Sequence, residues 1–517
     1  MPAPQRNTVA APDADENSID EISPPRRAIA GFHSLPEASR RHATQFPEAP
    51  RWPVEEQTHD AAVSGTPAHP SKQKLGNGKP MAEMVKSTTS SGPRTAEASP
   101  VTRFFRATEI DTRLLGMIGA LIIIWIGFHI ITGGLFLTPR NLWNLSVQTT
   151  DIAIMTTGMV LIIVTRNIDL SVGSVLGLCG MIMGVTQAKI LPEYIGFDSP
   201  FTWAITLLVG VAAGCLIGAF QGIIIAFLNV PSFIVTLGGL LVWRGATWLV
   251  TSGQTVAPMD QTFRIMGGGA EGSIGATWSW IVGIAACLFV VASIVGSRRQ
   301  RRRFGFPRRP MWAEYFLATL SCVLILGAVW VANSYYWPIN IAKKYAETNN
   351  IPWPETGLDI PYGIAVPVLI AIVVGIIMTF IATRLRFGRY VFAIGGNPEA
   401  AELAGIKTRW VTVRIFALMG ILAAIAAAIS TARLNAATNS QGTLDELYTI
   451  AAAVIGGTSL AGGTGTIAGA MLGALVMQSL QSGMVLAHVD TPLQSVVVGT
   501  VLVVAVWLDT VYRARAK

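Results

Sequence analysis

Long apolar runs, separated by short polar or basic segments, extend from residue 114 to residue 509. The first run, 114–137, contains no Asp, Glu, Lys or Arg. A helix needs about 20 residues to cross the ~30 Å hydrocarbon core of a bilayer, so runs of this length predict membrane-spanning helices. The pattern gives twelve apolar elements, at 114–137, 149–165, 171–189, 201–228, 232–251, 278–296, 313–333, 362–383, 411–430, 447–461, 465–486 and 493–509.

These elements predict an all-α integral membrane protein, a polytopic helical bundle of about 10–12 transmembrane elements with broken or half helices. The element at 447–461 is short, which predicts a half-membrane or re-entrant helix. Segments rich in Gly, Ser and Thr, at 167–174 and 455–465, interrupt the apolar pattern. Such backbone is tolerated at membrane depth only where protein or a water-filled cavity satisfies its polar groups.

Glycines recur every four residues in two of the elements. Small residues at this spacing let helix backbones approach closely in lipid, where van der Waals packing replaces the hydrophobic drive. We interpret both stripes as helix-packing surfaces, formed by Gly210, Gly214, Gly218, Gly222 and by Gly465, Gly469, Gly473.

The N-terminal region has a different composition. Its first 100 residues hold 14 of the 28 prolines and three aromatic residues. This region has too few apolar residues to offset the entropy cost of ordering the chain. It is therefore predicted to be a disordered cytoplasmic tail over 1–105, ahead of a membrane domain over 106–517. In the alternative interpretation, translation starts at Met81 or Met84 and the tail is an artefact of the assigned start.

The distribution of Lys and Arg predicts the orientation of the bundle. The segment 298–309 carries seven arginines, and further basic residues lie at 384–409 and at both ends of the membrane domain. In the twelve-element arrangement all these segments fall on one side, so both termini are predicted to be cytoplasmic. The net charge of +8 follows this topology, which favours contact with membrane lipid and not with nucleic acid.

Few polar side chains inside the apolar runs could meet a solute. Asp169 is placed to cap the helix that follows it, and it is also an ionisable residue beside a membrane break. Arg244 is expected to reach the interface or a backbone carbonyl group. The candidate path for a solute is Asp169, Ser171, Ser174, Thr236, Thr458 and Ser459.

Motifs for catalysis and for phosphate binding are missing. Segment 76–80 has a proline where a phosphate-binding loop needs a hydroxyl, and His129 and His488 have no acidic or cysteine partner in a motif. The chain is therefore predicted to be neither an enzyme nor a metal or cofactor protein, and carboxylate–cation pairs of the proton-relay kind are scarce. Two alternatives stay open: a secondary transporter driven by an ion gradient, and a membrane enzyme.

The segment 386–411 is basic at both ends and about 25 residues long. Asn397 can cap a short helix, Pro398 suits the first helical position, and Gly405 can end the helix. The pattern predicts a short amphipathic helix at 398–404. It either lies across the cytoplasmic mouth of the bundle as a contact for another protein or is a solvated turn between two helices.

This segment resembles the coupling loop of ATP-binding cassette (ABC) transporter permeases. Four motifs in order resemble the branched-chain amino acid/monosaccharide permease family, in its ribose/xylose branch: NIDLSVGSVLG at 167–177, GGLLVWRG at 238–245, GNPEAAELAGI at 396–406 and AAAVIGGTSLAGG at 451–463. The resemblance implies a type II ABC importer permease in the bacterial inner membrane. It also implies a coupling surface of Gly396, Asn397, Glu399, Ala401, Gly405 and Ile406.

Several partners follow from the same resemblance. They are a separate cytoplasmic ATPase that binds ATP and Mg, a periplasmic sugar-binding protein, and a second permease chain, either identical or homologous. Extra material at about 278–361, compared with ribose-type members, is similar to xylose-transport permeases. D-Xylose is therefore the first candidate substrate, and another pentose or hexose is the alternative.

Overall fold

A computed structural model describes residues 108–109, 112–196, 199–355 and 357–516. The predicted tail, 1–105, and its candidate start sites lie outside these residues. The described residues belong to one compact unit, Pro93–Lys517, and its regular structure is helical. Within this part of the chain, ten helices are long and apolar enough to cross a membrane. The predicted all-α polytopic bundle is confirmed.

The first half of the chain builds five of these spans. A π-helical turn, Thr186–Ile190, joins α3 to α4, so that Val172–Ile195 forms one continuous apolar span. The helices in this half are α1 (Thr112–Ile131), α2 (Pro139–Val164), α3 (Val172–Val185), α4 (Leu191–Ile195), α5 (Thr202–Phe227), α6 (Ser232–Thr251) and α7 (Gln261–Arg264).

Helix α2 begins ten residues before the apolar element that predicts it. Thr138 caps it by accepting a hydrogen bond from the Asn141 N–H at 3.4 Å, and Pro139 occupies the first helical position. Its first turns therefore carry amide side chains, which apolar windows do not detect.

The second half contains the remaining five spans and a short interior helix. Helix α15 has 11 residues, too few to cross a bilayer, which confirms the predicted half-membrane helix. The helices are α8 (Gly275–Arg303), α9 (Met311–Asn333), α10 (Ile339–Thr348), α11 (Val366–Thr383), α12 (Arg386–Gly396), α13 (Pro398–Leu403), α14 (Thr408–Leu434), α15 (Asp445–Ile455), α16 (Ile467–Leu486) and α17 (Thr491–Ala516).

Helices α2 and α14 form the centre of the bundle. Neighbouring helices bury 94% of the apolar window of α2 and 78% of that of α14, against 6% for α1 and α9. Outer helices expose large aliphatic side chains such as Ile123 and Leu216, which are 73% and 70% exposed. Apolar exposure on this scale is the property of a surface that lipid covers.

The glycine stripe of α5 lies at its contact with α14. A methyl group added at Gly214 would collide with the Gly420 carbonyl oxygen, and one added at Gly218 would collide with the Phe416 carbonyl oxygen. The two backbones are therefore in direct contact along several turns, the geometry that small residues permit in lipid. Gly222 extends this contact against Val413 of α14, whereas Gly210 packs against Met183 of α3.

The second glycine stripe needs a correction. Gly469 and Gly473 pack against the backbone at Gly456 and Ala452, where α16 meets α15. Gly465, in contrast, is not helical, because the Thr466 side chain caps α16 by accepting a hydrogen bond from the Gly469 N–H at 3.2 Å. It packs against Val160 and Val164 of α2 and Thr458.

Helices α8 and α11 both begin where Gly275 pairs with Gly363, so the basic segments 298–309 and 384–409, at their far ends, lie on one side of the bundle. We call this side the basic face and the other side the opposite face. Glu109, ahead of α1, pairs at 2.8 Å with both Arg301 and Arg309. Hydrogen bonds from Arg301 and Arg309 lower the pKa of Glu109 to about 2 from an ordinary value of 4.5. Its stabilisation is complete above pH 4.5 and is lost as the pH falls through 2, so it is constant near neutrality.

An aromatic cluster anchors the segment between α9 and α11 to the opposite face. The Trp143 indole N–H donates a hydrogen bond to the Gly363 carbonyl oxygen at 2.8 Å. The ring of Tyr362 lies 4.7 Å from that of Trp143 and 4.5 Å from that of Tyr335, between centroids. The extra material predicted at 278–361 is thereby fastened to the central helix α2.

We predict that Gly218→Ala lowers the free energy of unfolding by about 1–3 kcal/mol, the usual cost of overpacking. The matched variant Gly127→Ala, on α1, places its methyl group where nothing lies within 4 Å. It should be neutral or slightly stabilising, since alanine is the better helix former. Circular dichroism during denaturation in detergent measures both variants, and equal stabilities would contradict the α5–α14 packing.

Candidate functional site

Helices α12 and α13 form the predicted coupling segment on the basic face. The Asn397 side chain caps α13 by accepting a hydrogen bond from the Ala400 N–H at 3.0 Å, and Pro398 is its first residue. Gly405 follows the helix with φ = +82°, a left-handed conformation that favours glycine. The short helix and both of its end signals agree with the sequence prediction.

Four of the predicted coupling residues, Gly396, Asn397, Glu399 and Gly405, are exposed. Ala401 does not belong to the exposed surface on which the sequence placed it. It is 5% exposed and belongs to the hydrophobic core, because a helix lying on the bundle must bury one face. Ile406 is partly buried against the same core. The surface open to a partner is therefore smaller than the sequence motif suggests, and its docking role stays a prediction.

Arg166 ties this segment to the centre of the bundle. Its guanidinium donates hydrogen bonds to the Gly395 and Gly396 carbonyl oxygens at 3.1 and 3.0 Å. The Gly463 N–H, ahead of α16, donates to the Val164 carbonyl oxygen at the end of α2, at 2.9 Å. A displacement of α12 and α13 would therefore be passed to the basic-face ends of α2 and α16.

Three of the six candidate path residues lie together near the start of α3. Asp169 Oδ1 accepts hydrogen bonds from the Ser171 N–H and hydroxyl, at 2.8 and 2.6 Å. The helix starts at Val172 with Ser171 as its cap residue, so Asp169 orders the turn before the cap and is not itself the cap. The Thr236 hydroxyl donates to the Ile168 carbonyl oxygen at 3.2 Å.

The other three path residues are also buried. Ser174 is on α3, whereas Thr458 and Ser459 lie in the turn after α15. Their hydroxyl groups have no hydrogen-bond partner among the described residues. The structure thus places the six residues in separate groups within the basic-face half, and their role as a path stays a prediction.

A cavity of 510 Å³ opens in the other half of the bundle, between α2, α14, α16 and the segment 435–444. Its volume is within the ~300–1,000 Å³ typical of small-molecule sites. None of the six candidate path residues lines it. Its walls are rich in amide side chains, namely Asn141, Asn144, Gln148, Gln441, Gln478 and Gln481.

Three charged residues meet in this cavity. Asp151 of α2 is buried and pairs with Arg433 of α14 at 3.5 Å, and Asp445 begins α15 beside them. Sequence reasoning missed the pair because 282 residues separate its members. The available signal was Asp151 itself, an acidic residue inside an apolar run, where an ionisable group suggests function. The expectation that carboxylate–cation pairs are scarce needs this correction.

The floor of the cavity is the segment 435–444, which Arg244 holds by hydrogen bonds. The Arg244 guanidinium donates to the carbonyl oxygens of Asn439, Gln441 and Gly442 at 3.3, 2.7 and 3.1 Å. A backbone carbonyl partner is one of the two roles that the sequence left open for Arg244. Gly442 in turn packs against Gly173, in the first turn of α3. The cavity therefore reaches from the opposite face to the depth at which α15 begins.

The chemistry of this arrangement is binding. Amides present donors and acceptors side by side, and an ion pair can engage further polar groups. Among the described residues there is no group of three or more His, Cys, Asp or Glu side chains placed to hold a metal ion. The geometry combines a polar pocket on one face of the bundle with a short, partly exposed helix on the other.

Spanning helices around a half-membrane helix, with a polar cavity on one face and an anchored surface helix on the other, define a polytopic membrane permease. The family model described as "branched-chain amino acid transport system / permease component" matches residues 141–506. The chain belongs to this family and is a transport component. The predicted resemblance to ribose/xylose-type ABC permeases is confirmed.

The chain aligns with individual relatives over most of their length. The chain is 36% identical to the xylose transport system permease protein XylH of Escherichia coli K12 over 408 residues, 79% of this chain and 94% of that protein. The Haemophilus influenzae protein of the same name is 36% identical over 406 residues, 78% and 98% of the two chains. The ribose import permease protein RbsC of Escherichia coli K12 is 30% identical over 378 residues, 72% and 87%. No solved structure matches the chain.

We predict that Arg433→Met destabilises the protein more than the double variant Asp151→Asn/Arg433→Met. The single change leaves the buried Asp151 carboxylate without its cation, whereas the double change leaves a neutral amide. Thermal unfolding in detergent, followed by tryptophan fluorescence, measures the order of the two melting temperatures. If the double variant melts at or below the temperature of the single variant, the pair is not coupled.

Proposed function

We propose that this chain is the membrane-spanning subunit of an ABC importer for a monosaccharide, and that the sugar is D-xylose. The observation that carries the proposal is one continuous helix, α2, which lines the polar cavity at one end and is tied to the coupling segment through Arg166 at the other. The choice of sugar is supported by 36% identity to xylose permeases that the chain matches over 94% of their length.

In this proposal the sugar crosses the inner membrane by alternating access. A sugar-binding protein delivers it to the opposite face, which is then periplasmic, and both termini are cytoplasmic, as the basic residues favour. A separate ATPase, which holds ATP and Mg, docks on α13 and biases the bundle between two states. Closure would move α2 and α16 through the contacts of Arg166 and Gly463.

The proposed complex contains two permease chains, either identical or homologous, as the resemblance implies. The lipid-exposed apolar helices leave ample surface for a second chain. The permease itself binds no cofactor in this proposal, because the energy enters through the ATPase.

One observation favours the alternative of a secondary transporter. Asp151, Arg433 and Asp445 form a charged cluster at membrane depth, the kind of group that proton- and ion-coupled transporters use. Family membership favours the ABC importer, and the energy source separates the two alternatives experimentally.

We predict that the complex of this chain with its ATPase and binding protein takes up D-xylose into proteoliposomes only when ATP is supplied to the ATPase. A protonophore should leave the initial rate unchanged, since no ion gradient drives the step. Uptake of radiolabelled D-xylose is measured with unlabelled ribose, allose or glucose as competitors. Loss of uptake on collapse of the gradient, at constant ATP, would favour the secondary transporter.

We predict that Glu399→Arg combined with Gly405→Trp abolishes retention of the ATPase. The double change reverses the charge of the exposed surface and forces a bulky side chain onto a residue with φ = +82°. Membrane insertion should persist, because both positions lie outside the spans. Co-purification and stimulated ATP hydrolysis are the measurements.

The control for this prediction is Glu347→Arg, the same charge reversal at an exposed glutamate of α10 on the opposite face. It should retain the ATPase. Normal co-purification and hydrolysis in the double variant would show that α13 is not the docking site.

A further inference from the structure

We propose that the cavity above α15 is a binding site for a neutral polyhydroxylated ligand, the monosaccharide in transit, and that it contributes to sugar selection. The inference rests on the proposed importer function and extends it, because it places a sugar site inside a single permease chain. Seven side chains of the cavity wall form the proposed site: Asn144, Gln148, Asp151, Arg433, Asp445, Gln478 and Gln481.

The cavity is deep. The cavity extends from Asn141, at the opposite-face end of α2, to Asp445, the first residue of the half-membrane helix α15. Transporters bind polar solutes beside the ends of discontinuous helices inside the bundle. A polar solute entering from the opposite face therefore reaches such a helix start in the interior of the bundle.

The amide side chains of the cavity have unused hydrogen-bonding capacity. Asn144 and Gln481 line the cavity, and their side chains make no hydrogen bond to another described residue. Gln148 and Gln478 bond to each other at 3.3 Å, which leaves each amide further donor and acceptor positions. Each hydroxyl group of a sugar both donates and accepts, so paired amides suit it better than groups of a single polarity.

The charged side chains of the cavity wall favour a neutral ligand. An anion in the cavity would approach the carboxylates of Asp151 and Asp445, and a cation would approach the guanidinium of Arg433. The 3.5 Å contact between Arg433 and Asp151 balances one charge of each sign within the wall. A neutral ligand meets neither repulsion, whereas its hydroxyl groups can bond to both members of the pair.

Movement of the cavity floor, the segment 435–444, would open the site toward the basic face. Gly442 and Asp445 belong to the cavity wall, and Gly442 packs on Gly173, beside the buried hydroxyls of Ser171 and Ser174. Movement of this floor would connect the amide cavity with the hydroxyl groups of the predicted path. The two sets of polar residues are then successive parts of one route.

The first test replaces both members of the amide pair, in Gln148→Leu/Gln478→Leu, so that no orphaned partner remains. In the complex in proteoliposomes, D-xylose uptake per ATP hydrolysed should fall about tenfold, the loss expected from one or two hydrogen bonds. ATP hydrolysis stimulated by the binding protein should stay within about twofold of the wild-type rate, because the coupling segment is untouched. Unchanged uptake per ATP would overturn the proposal.

Two controls accompany this variant. Gln254→Leu makes the same change at an exposed glutamine in the loop after α6, outside the cavity, and should leave uptake per ATP unchanged. Gln148→Asn/Gln478→Asn keeps the amide groups and should lose less uptake than the leucine pair. If the asparagine and leucine pairs lose the same amount, hydrogen bonding by these amides is not the cause and the proposal fails.

A second measurement does not depend on how the leucine pair folds. In Asn144→Cys, within the assembled complex, D-xylose should slow reaction of the new thiol with a small maleimide several-fold, and the zwitterion betaine should not. No protection by D-xylose, or equal protection by betaine, would overturn the site. If wild-type complex imports no sugar but D-xylose still protects the thiol, the importer function fails while the site stands.

Discussion

The architecture depends on how carbonyl groups inside the bundle are satisfied where the chain is not helical. In lipid every backbone polar group needs an internal partner, so an irregular segment at membrane depth is unstable without one. Arg244 meets this need for the segment 435–444 by donating hydrogen bonds to three of its carbonyl oxygens. This one side chain therefore holds the floor of the cavity, which immediately precedes α15.

Close packing of small residues makes room for that interior. The glycine contacts of α5 with α14, and of α16 with α15, bring backbones together without bulky side chains between them. Helices α2 and α14 are then enclosed nearly all round, so the polar residues that they carry are shielded from lipid. A membrane protein can keep an ion pair such as Asp151 with Arg433 only in such an enclosure.

In the proposed function, the two ends of α2 connect solute binding with energy input. At the basic face, its terminal turn and Arg166 are bonded to α12 and to the loop before α16. At the opposite face, its first turns present the amides of the cavity. A helix is stiff along its axis, so a displacement at one end is felt at the other. In the proposed importer, coupling and solute binding therefore share a structural element although they lie on opposite sides of the bundle.

The sequence by itself determined the spans, the half-membrane helix and the capped helix α13, because apolar length and capping residues act locally along the chain. It also determined the family, through motifs that are contiguous in sequence. Only the tertiary structure decided the cavity. Asp151 and Arg433, or Gln148 and Gln478, are hundreds of residues apart and meet because α2 packs between α14 and α16. The burial of Ala401 was likewise decided by packing, whereas the Thr466 cap that leaves Gly465 outside its helix is a local signal of the sequence.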